Sequence, residues 1–448
     1  MHFSSEEAAE KCDITYAGGL KMSPQELLFV AVRLHRDGRL DDAEKCYQVL
    51  LDLEPQNANA MHFMGMLLQQ KGHLGKALEL IEASISLEGT VAGWHNNLGN
   101  VLLASDRFED AARSYARCVQ LDPENMEVLN NLGMLHRYMG RPVQAEEMLL
   151  RALQRDPSFA NAHYNLANLY CKLNRMPEAF SHYADALALQ PSDLRSRSAL
   201  TIALGKAGRL EEGRQACREW LNLEPDSAQA HHFYAAFGGT ATPDRASDAY
   251  LVSEFDSFAE TFDAKLAGLE YRAPQWIGES VRKILGEPVA RERILDLGCG
   301  TGLCAPMLRP FAEHLAGVDL SQKMLERAQQ RNLYDNLIQL ELVAYLQECQ
   351  RDWNILVSAD TLIYFGRLES VFMVARQVLC AGGHMVFTLE AHDLPDDFIL
   401  HTHGRYSHAH GYVTTALTHS GFTSIDIQKV ELRFESGNPV TGWLVVAS

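Results

Sequence analysis

The stretch Ile294-Leu295-Asp296-Leu297-Gly298-Cys299-Gly300-Thr301-Gly302 decides the fold of the second half of this 448-residue chain. Its apolar start is typical of a buried strand, and the glycines that follow stand at alternate positions. Because glycine has no Cβ, such a turn lets the backbone come close to a ligand just before a helix begins. The stretch therefore predicts a strand, a turn and a helix that bind a nucleotide-type cofactor. Its GxGxG spacing differs from GxGxxG and disfavours a nicotinamide-dependent oxidoreductase.

Strand-like and helix-like runs alternate downstream of that stretch. The strand-like runs are 293–297, 315–320, 337–341, 354–359 and 384–390, and the helix-like runs are 303–311, 322–331, 344–350, 368–379 and 413–419. This alternation predicts an α/β domain with a doubly wound parallel sheet and helices on both faces. The closing runs 425–434 and 442–447 predict an antiparallel hairpin. Upstream, residues 250–269 carry aromatic residues at helical spacing and predict one helix.

An acidic residue follows the second predicted strand. Asp319 lies 21 residues after Gly298, the distance at which an acidic side chain reaches ribose hydroxyls in dinucleotide-binding folds. Ser321 stands where it can cap the next helix. We therefore expect Asp319 to hold the sugar of the cofactor.

The first half of the chain follows a 34-residue lattice. Prolines occupy five of its nodes and a glycine the sixth: Pro55, Gly89, Pro123, Pro157, Pro191 and Pro225. Twelve residues before each node stands a small residue: Ala43, Ala77, Ala111, Ala145, Ala179 and Gly213. This period predicts an all-α array of six helical hairpins from about residue 24 to 227, followed by a closing helix.

The lattice resembles the tetratricopeptide repeat family. The resemblance rests on first-helix pairs and second-helix aromatics, namely Leu98-Gly99, Leu132-Gly133, Leu166-Ala167, Tyr47, Tyr115 and Tyr183. It covers nearly half of the chain and implies a superhelix that binds a protein or peptide partner. The last repeat departs from the pattern with Gly213 and Cys217.

A ladder of asparagines runs through the array, because Asn97, Asn131 and Asn165 are also 34 residues apart. In the similar repeats of O-linked N-acetylglucosamine transferases, such asparagines line the groove and pair with a peptide backbone. The alternative interpretation is that they tie adjacent repeats together or lie solvated on a helix face. The sequence leaves both open.

The second half resembles the class I S-adenosylmethionine-dependent methyltransferases, especially predicted ones that carry tetratricopeptide repeats. The matching segments are Phe255-Asp256-x-Phe258-Ala259-x-x-Phe262-Asp263, Asp296 to Gly302, Val318-Asp319-Leu320-Ser321, Ala359-Asp360-x-Leu362-x-Tyr364 and Gly404-Arg405-Tyr406-x-His408. We accordingly expect residues 1–22 to be a tail, 23–238 the repeat array, 239–291 a linker with helices, and 292–448 the methyltransferase domain.

The resemblance implies a site for S-adenosylmethionine. The residues expected to hold the cofactor are Asp296, Gly298, Gly300, Gly302, Asp319, Leu320, Glu341, Leu342, Ser358 and Ala359. The glycines would pass under the methionine portion and Asp296 would orient its ammonium group. The two leucines would sandwich the adenine, Glu341 would approach the adenine amino group, and Ser358 and Ala359 would face the methyl group.

Catalytic candidates come from two later segments. Asp360 stands at the end of the fourth predicted strand and would also face the methyl group, and either Tyr364 or Tyr406 would shape the pocket. In the histidine-rich segment 401–410, His408 is the candidate base and Arg405 the candidate clamp for an anionic substrate. The alternative is that this segment is a structural or solvated lid. No metal site is predicted, because no carboxylate or cysteine completes a ligand set for its two HxH pairs.

Composition limits the partners and the compartment. The 58 acidic residues against 40 Lys and Arg give a net charge of −18, which opposes nucleic-acid binding. Nine scattered cysteines without a CxxC pair indicate reduced thiols. Because neither a signal-peptide pattern nor an 18-residue apolar run occurs, we expect a cytoplasmic protein without membrane contact.

Three functional hypotheses follow. The first is an S-adenosylmethionine-dependent methyltransferase whose repeats recruit a protein, peptide or carrier-bound substrate. The second keeps the enzyme but gives it a small-molecule acceptor and uses the repeats for docking to a complex. The third is a scaffold whose methyltransferase domain has lost its activity.

Overall fold

The computed structural model describes residues 22–350, 352–435 and 437–448, so the predicted tail lies outside the described residues except for Met22. The described chain forms two compact units, one ending at Ser196 and the other running from Arg197 to Ser448. The domain boundaries at 238 and 291 remain predictions. Within the described residues, no helix has the length and apolar composition that a membrane crossing needs.

The first unit consists of paired helices, as the lattice predicts. They are α1 (Pro24–Arg36), α2 (Leu40–Leu53), α3 (Ala58–Gln70), α4 (Leu74–Leu87), α5 (Ala92–Ala104), α6 (Phe108–Leu121), α7 (Met126–Tyr138), α8 (Pro142–Arg155), α9 (Ala160–Lys172) and α10 (Met176–Leu189). A capping box starts α1: the Ser23 hydroxyl accepts the Glu26 N–H, and the Glu26 carboxylate accepts the Ser23 N–H at 2.7 Å.

Close packing within the pairs explains the small residues of the lattice. Ala111 and Ala145 are fully buried. A Cβ on Gly99 would lie 2.5 Å from the Tyr115 ring, and one on Gly133 would lie 2.7 Å from Leu149. The Leu-Gly pairs therefore stand where the second helix of a repeat leaves no room for a side chain.

The asparagine ladder ties neighbouring repeats together. Each ladder amide donates to the residue 35 positions earlier: Asn97 to His62 Nε2 at 3.0 Å, Asn131 to Asn96 Oδ1 at 3.4 Å, and Asn165 to Asn130 Oδ1 at 2.8 Å. These contacts correspond to the second of the two interpretations, in which the amides hold the array itself.

In the described part of the chain, six further helices lie between α10 and the sheet. They are α11 (Leu194–Lys206), in which the boundary between the units falls, α12 (Leu210–Leu223), α13 (Ala228–Ala236), α14 (Asp248–Phe258), α15 (Phe262–Gly268) and α16 (Ala273–Leu285). Gly213 replaces the usual alanine because a Cβ there would lie 2.1 Å from the Phe237 ring. The single helix predicted over 250–269 is wrong, since the chain turns between Phe258 and Phe262 and both rings then face one cavity.

The sheet formed by the described residues contains nine strands. They are β1 (Glu292–Leu297), β2 (Ala312–Asp319), β3 (Asn336–Gln339), β4 (Trp353–Ser358), β5 (Leu379–His392), β6 (Phe398–Leu400), β7 (Tyr406–Ala409), β8 (Ile425–Glu435) and β9 (Asn438–Ala447). Strands β1 to β5 are parallel in the order β3-β2-β1-β4-β5. Strand β9 runs antiparallel to β5 and pairs with β8, as the predicted terminal hairpin requires.

Helices connect the strands and cover the sheet. They are α17 (Ala305–Leu308), α18 (Gln322–Gln330), α19 (Leu342–Glu348), α20 (Glu369–Val378) and α21 (His410–His419). Alternate residues of β1 enter opposite cores: Leu295 and Leu297 pack with Phe372, whereas Ile294 packs with Ile277. This alternation confirms the predicted doubly wound α/β fold.

Two details of the prediction are wrong. The loop expected before α21 contains the β6–β7 hairpin, because Tyr406 and His408 are buried and β7 pairs with the last residues of β5. The third strand ends at Gln339, since Glu341 instead caps α19 by accepting the Ala344 N–H at 2.9 Å.

Candidate active site

A cavity of about 240 Å³ opens where β1, β2 and β4 end. Carboxyl ends of parallel strands are where open α/β sheets bind ligands. Helices α14 and α15 contribute Phe255, Phe258 and Phe262 to its apolar wall. The lining also includes charged side chains from the segments after β4, before β7 and at the end of β8.

The glycine loop forms the floor of the cavity. Gly298 and Gly300 line it and have φ values of +71° and +53°. A Cβ on Gly300 would approach only Phe262, at 4.0 Å, so it would project into open space. A Cβ on Gly298 would lie 2.2 Å from Thr361. The missing side chain thus keeps space open at Gly300, whereas at Gly298 it is required by the packing against Thr361.

Asp319 joins the loop to β2. Its Oδ2 accepts the Gly300 N–H and its Oδ1 accepts the Ser321 N–H, both at 2.9 Å. The side chain lines the cavity, and burial raises the pKa of this carboxyl despite the backbone N–H donors around it.

The cavity also brings together Leu320, Glu341, Leu342 and Ala359. Glu341 Oε2 caps α19, while Oε1 is buried and has no hydrogen-bond partner in the described part of the chain. The nearest cationic group is the Arg245 guanidinium, 3.9 Å from Oε1. A buried acceptor of this kind can take a hydrogen bond from water or from a ligand.

Three expected cofactor residues lie behind the cavity wall rather than in it. Asp296 is buried, its Oδ2 accepts the Tyr334 hydroxyl at 2.7 Å, and burial raises its pKa to about 7. The Ser358 hydroxyl donates to the Leu297 carbonyl at 3.0 Å, and Gly302 packs against the Tyr334 ring. These three residues therefore pack behind the glycine loop and support its conformation without lining the cavity.

Asp360 and Tyr364, two of the catalytic candidates, reach the cavity. Asp360 has a left-handed backbone with φ 52°, and its N–H donates to Thr388 Oγ1 at 2.9 Å. The Thr388 hydroxyl donates back to Asp360 Oδ1 at 2.8 Å. Burial raises the pKa of Asp360, and the guanidinium of Arg433 opposes that rise.

Arg405 lines the cavity but is not a free clamp. Its Nε donates to Glu390 Oε1 at 2.6 Å and a terminal nitrogen donates to Glu435 Oε1 at 2.7 Å. Arg433 bonds the same two carboxylates and also Asp360. These five side chains form a charged cluster that joins β5 and β8 to the segments after β4 and before β7. The expectation that Arg405 is free to clamp an anion is therefore wrong, because its guanidinium is already paired with two carboxylates.

The structure does not bring His408 to the cavity. This residue is fully buried in β7, its Nε2 donates to the Gly366 carbonyl at 3.1 Å, and burial lowers its pKa to about 4. Segment 401–410 packs instead against α13, where His232 Nε2 donates to the Gly404 carbonyl at 2.8 Å. The structural alternative therefore describes this segment, and the His408 side chain does not line the cavity.

Sequence reasoning missed Glu254, Arg433 and Glu435. Glu254 lines the cavity next to the aromatic wall, and burial raises its pKa. A signal was present, because Glu254 shares a helix face with Leu251 and Phe258, so it is a charged residue on an apolar stripe. Arg433 and Glu435 come from the terminal hairpin, and only the strand pairing brings them to the cavity.

Known protein families match segments in both halves of the chain. A family described as a methyltransferase domain matches residues 294–383, and two tetratricopeptide repeat families match residues 90–158 and 130–194. A Pseudomonas aeruginosa pilF structure covers 47% of this chain and 96% of its own, at 20% identity and a TM-score of 0.42. The type IV pilus biogenesis factor PilW covers 46% and 96%, at 17% identity and a TM-score of 0.44.

Curated relatives match the second half. Methyltransferase-like protein 27 of Homo sapiens is 38% identical over 114 residues, the bifunctional biotin biosynthesis protein BioHC of Saccharophagus degradans 30% over 128, and the aklanonic acid methyltransferase DauC of a Streptomyces species 27% over 148. These alignments cover 25%, 27% and 31% of this chain. The chain spans only 38%, 23% and 64% of the relatives' own lengths. With the sheet order and the repeat lattice, these matches identify a chain that joins tetratricopeptide repeats to a methyltransferase domain.

Proposed function

We propose that this chain is an S-adenosylmethionine-dependent methyltransferase. The observation that carries the proposal is the contact between Gly300 and Asp319, which holds a stretch of backbone without a side chain beside a half-buried carboxylate at the ends of β1 and β2. The open space at Gly300 fits the methionine portion of the cofactor, and the unpartnered Glu341 Oε1 fits the amino group of its adenine. We extend the proposal to the predicted domain boundaries, with the catalytic domain at 292–448.

Each cavity residue has a proposed role toward the cofactor. Asp319 would accept the ribose hydroxyls, and Leu320 and Leu342 would pack on the adenine. Gly298 and Gly300 would leave room for the methionine portion, while Asp296, Gly302 and Ser358 hold the loop from behind. When bound, S-adenosylmethionine supplies an electrophilic methyl group on its sulfonium sulfur.

The acceptor would lie between the aromatic wall and the charged cluster. Alignment of acceptor and methyl group can supply about 7–11 kcal/mol of the rate enhancement. An amine or hydroxyl acceptor must also lose a proton. Within the described residues, the Glu254 carboxylate accepts one long side-chain hydrogen bond, from Gln229 Nε2 at 3.4 Å, and no ion pair holds it. We propose Glu254 as the proton acceptor in place of His408, with Asp360 and Tyr364 shaping the pocket.

The repeats would recruit a protein, peptide or carrier-bound substrate, because tetratricopeptide repeats mediate contacts between proteins. This part does not depend on Asn97, Asn131 and Asn165, whose amides contact neighbouring repeats. The second candidate is a small-molecule acceptor, with the repeats used for docking. It is favoured by the relative that is named for methylating aklanonic acid.

Calorimetric titration with S-adenosylhomocysteine tests the cofactor site. We expect one site per chain, weakened by more than about tenfold in Asp319→Ala, a loss of about 1.4 kcal/mol or more. Asp426→Ala is the matched control, because Asp426 is exposed on β8 away from the cavity. Absence of binding to the unaltered protein, or equal binding by both variants, would remove the proposal.

A labelling experiment separates the two acceptor classes. Cell lysate is incubated with the protein and methyl-tritiated S-adenosylmethionine, and macromolecules are then separated from small molecules. Label on protein supports recruitment of a protein substrate through the repeats, whereas label confined to small molecules supports the second candidate. Label in neither fraction, with the cofactor bound, would favour the inactive scaffold.

A further inference from the structure

Two histidines and an aspartate converge inside one repeat of the first unit. His163 lies on α9, and His182 and Asp185 lie on α10. The two Nδ1 atoms are 2.8 Å apart, and Asp185 Oδ2 lies 3.5 Å from His163 Nδ1 and 4.0 Å from His182 Nδ1. Within the described residues, this is the one group of three or more His, Cys, Asp or Glu side chains whose ligand atoms lie this close together.

The orientation of His163 presents a lone pair to the group. Its Nε2 lies 3.1 Å from the Pro157 carbonyl oxygen, which can only accept a hydrogen bond. Nε2 of the neutral ring therefore carries the proton, and Nδ1 faces His182 unprotonated. Histidines that bind metals are oriented in this way, with the second ring nitrogen donating to a carbonyl or carboxylate.

An earlier repeat of the array has a histidine at the position equivalent to His163 and can be compared with it. His95, two periods earlier, makes the same bond from Nε2 to the Gly89 carbonyl at 3.0 Å. At the positions equivalent to His182 and Asp185, that repeat carries Ser114 and Arg117. The histidine-to-turn bond is thus a general feature of these repeats, whereas the two additional ligands are specific to α9 and α10.

We propose that His163, His182 and Asp185 bind a divalent transition-metal ion of the Zn²⁺ type. Imidazole ligands favour Zn²⁺, Cu²⁺ and Ni²⁺ over Mg²⁺ and Ca²⁺, which prefer oxygen ligands. Zn–N bonds of about 2.0–2.1 Å in a tetrahedral site place the two nitrogens about 3.3 Å apart, so the rings separate by about half an ångström. The proton of His182 moves to Nε2, and both rings remain neutral.

The fourth coordination position is open to water or to a side chain of a partner. Asp185 is half exposed, which gives the ion a path from solvent. The site clamps the two helices of one repeat, so the bound ion stabilises that part of the array against unfolding.

Cobalt spectroscopy on the full chain tests the site. We expect one Co²⁺ per chain, with visible bands of a nitrogen and oxygen ligand set, displaced by one Zn²⁺. His182→Ala should weaken Zn²⁺ binding by more than about tenfold, the loss that even an outer contact produces. His95→Ala is the matched control and should bind like the unaltered protein. Circular dichroism verifies that each variant keeps its helices.

Several outcomes would overturn the proposal. One is the absence of stoichiometric Co²⁺ or Zn²⁺ binding to the unaltered protein. Another is equal affinity in His182→Ala and His95→Ala. A thiolate charge-transfer band would assign the ion to cysteines, and preference for Mg²⁺ or Ca²⁺ would assign it to carboxylates. If His182→Ala loses its helices, Asp185→Asn is measured instead. The proposal then requires that Asp185→Asn weaken Zn²⁺ binding.

Discussion

Gly298 and Gly300 lie two residues apart in one loop, but the absence of a side chain has a different structural reason at each. Both have left-handed backbones, in which a side chain costs about 1–2 kcal/mol. Only at Gly298 would a Cβ also collide with a neighbour, Thr361, at 2.2 Å. Only at Gly300 would it enter the cavity.

Alanine at these positions should therefore separate stability from ligand binding. Gly300→Ala should weaken S-adenosylhomocysteine binding by more than about tenfold, or 1.4 kcal/mol. Gly298→Ala should lower the free energy of unfolding by more than the 1–2 kcal/mol of backbone strain. Gly382→Ala is the control, because it has φ +76° with nothing within 4 Å. Calorimetry and thermal denaturation measure both quantities, and equal ligand affinity in Gly300→Ala and Gly382→Ala would contradict the assignment.

Asp296 should make stability depend on pH. Its folded pKa is raised to about 7, while an exposed aspartate titrates near 3.9. The folded state therefore binds more protons between these values, and stability falls as pH rises from about 4 to 7. The raised pKa of Asp296 accounts for a decrease of up to about 4 kcal/mol in the free energy of unfolding over this pH range, since one pKa unit is worth about 1.4 kcal/mol. Asparagine does not titrate, so Asp296→Asn should not show this decrease. Denaturant titrations of both proteins at pH 4 and pH 8 measure the difference, and parallel pH profiles would contradict it.

At the scale of elements, β8 places the buried Arg433 in the lining of the cavity. Arg433 is 4% exposed and contacts Asp360, Glu390 and Glu435. Removing one partner from a buried ionic cluster leaves uncompensated charge. The terminal hairpin thus has a role in holding the cavity wall as well as closing the sheet.

Arg433→Met should lower the free energy of unfolding by about 3–5 kcal/mol. Arg291→Met removes an exposed ion pair with Glu292 and should change it by less than about 1 kcal/mol. Urea denaturation of the two variants measures the contrast. A small effect in Arg433→Met would mean that water screens the cluster.

The asparagine ties should differ in strength. The bond from Asn165 to Asn130 is 2.8 Å long and buried, whereas that from Asn131 to Asn96 is 3.4 Å long and half-buried. Asn165→Ala should therefore lower the free energy of unfolding by about 1–3 kcal/mol, and Asn131→Ala by less. Thermal denaturation ranks them, and the reverse order would show that the ties are not what these residues contribute.

The periodicity of the sequence made most helices and strands predictable. The features that could not be predicted depend on which strands pair in the sheet and which helices pack together. The 34-residue lattice and the βα alternation place helices and strands within a few residues. The β6–β7 hairpin escaped because its strands are three and four residues long and are defined by contacts with β5. Gly300 and Asp319 follow from spacing in sequence, whereas Arg433 follows only from β9 pairing with β5. The metal ligands escaped because they come from two helices.

At the scale of the whole molecule, the two units should respond to different ligands. A ligand that binds only the folded state adds about 2.7 kcal/mol of stability at a hundred times its dissociation constant. Scanning calorimetry should show S-adenosylhomocysteine shifting the transition of residues 197–448, and Zn²⁺ shifting that of the first unit. Asp319→Ala and His182→Ala should each abolish one shift and leave the other. A single transition moved equally by both ligands would contradict this independence.

The ties between asparagines reach only from one repeat to the one before it. An array coupled in this way behaves as a one-dimensional chain of nearest-neighbour interactions, in which a local disturbance fades with distance. Protection against native-state amide exchange would then decline toward the first described helices, α1 and α2, and stay high in the middle repeats. Fraying at that end would leave the central repeats folded.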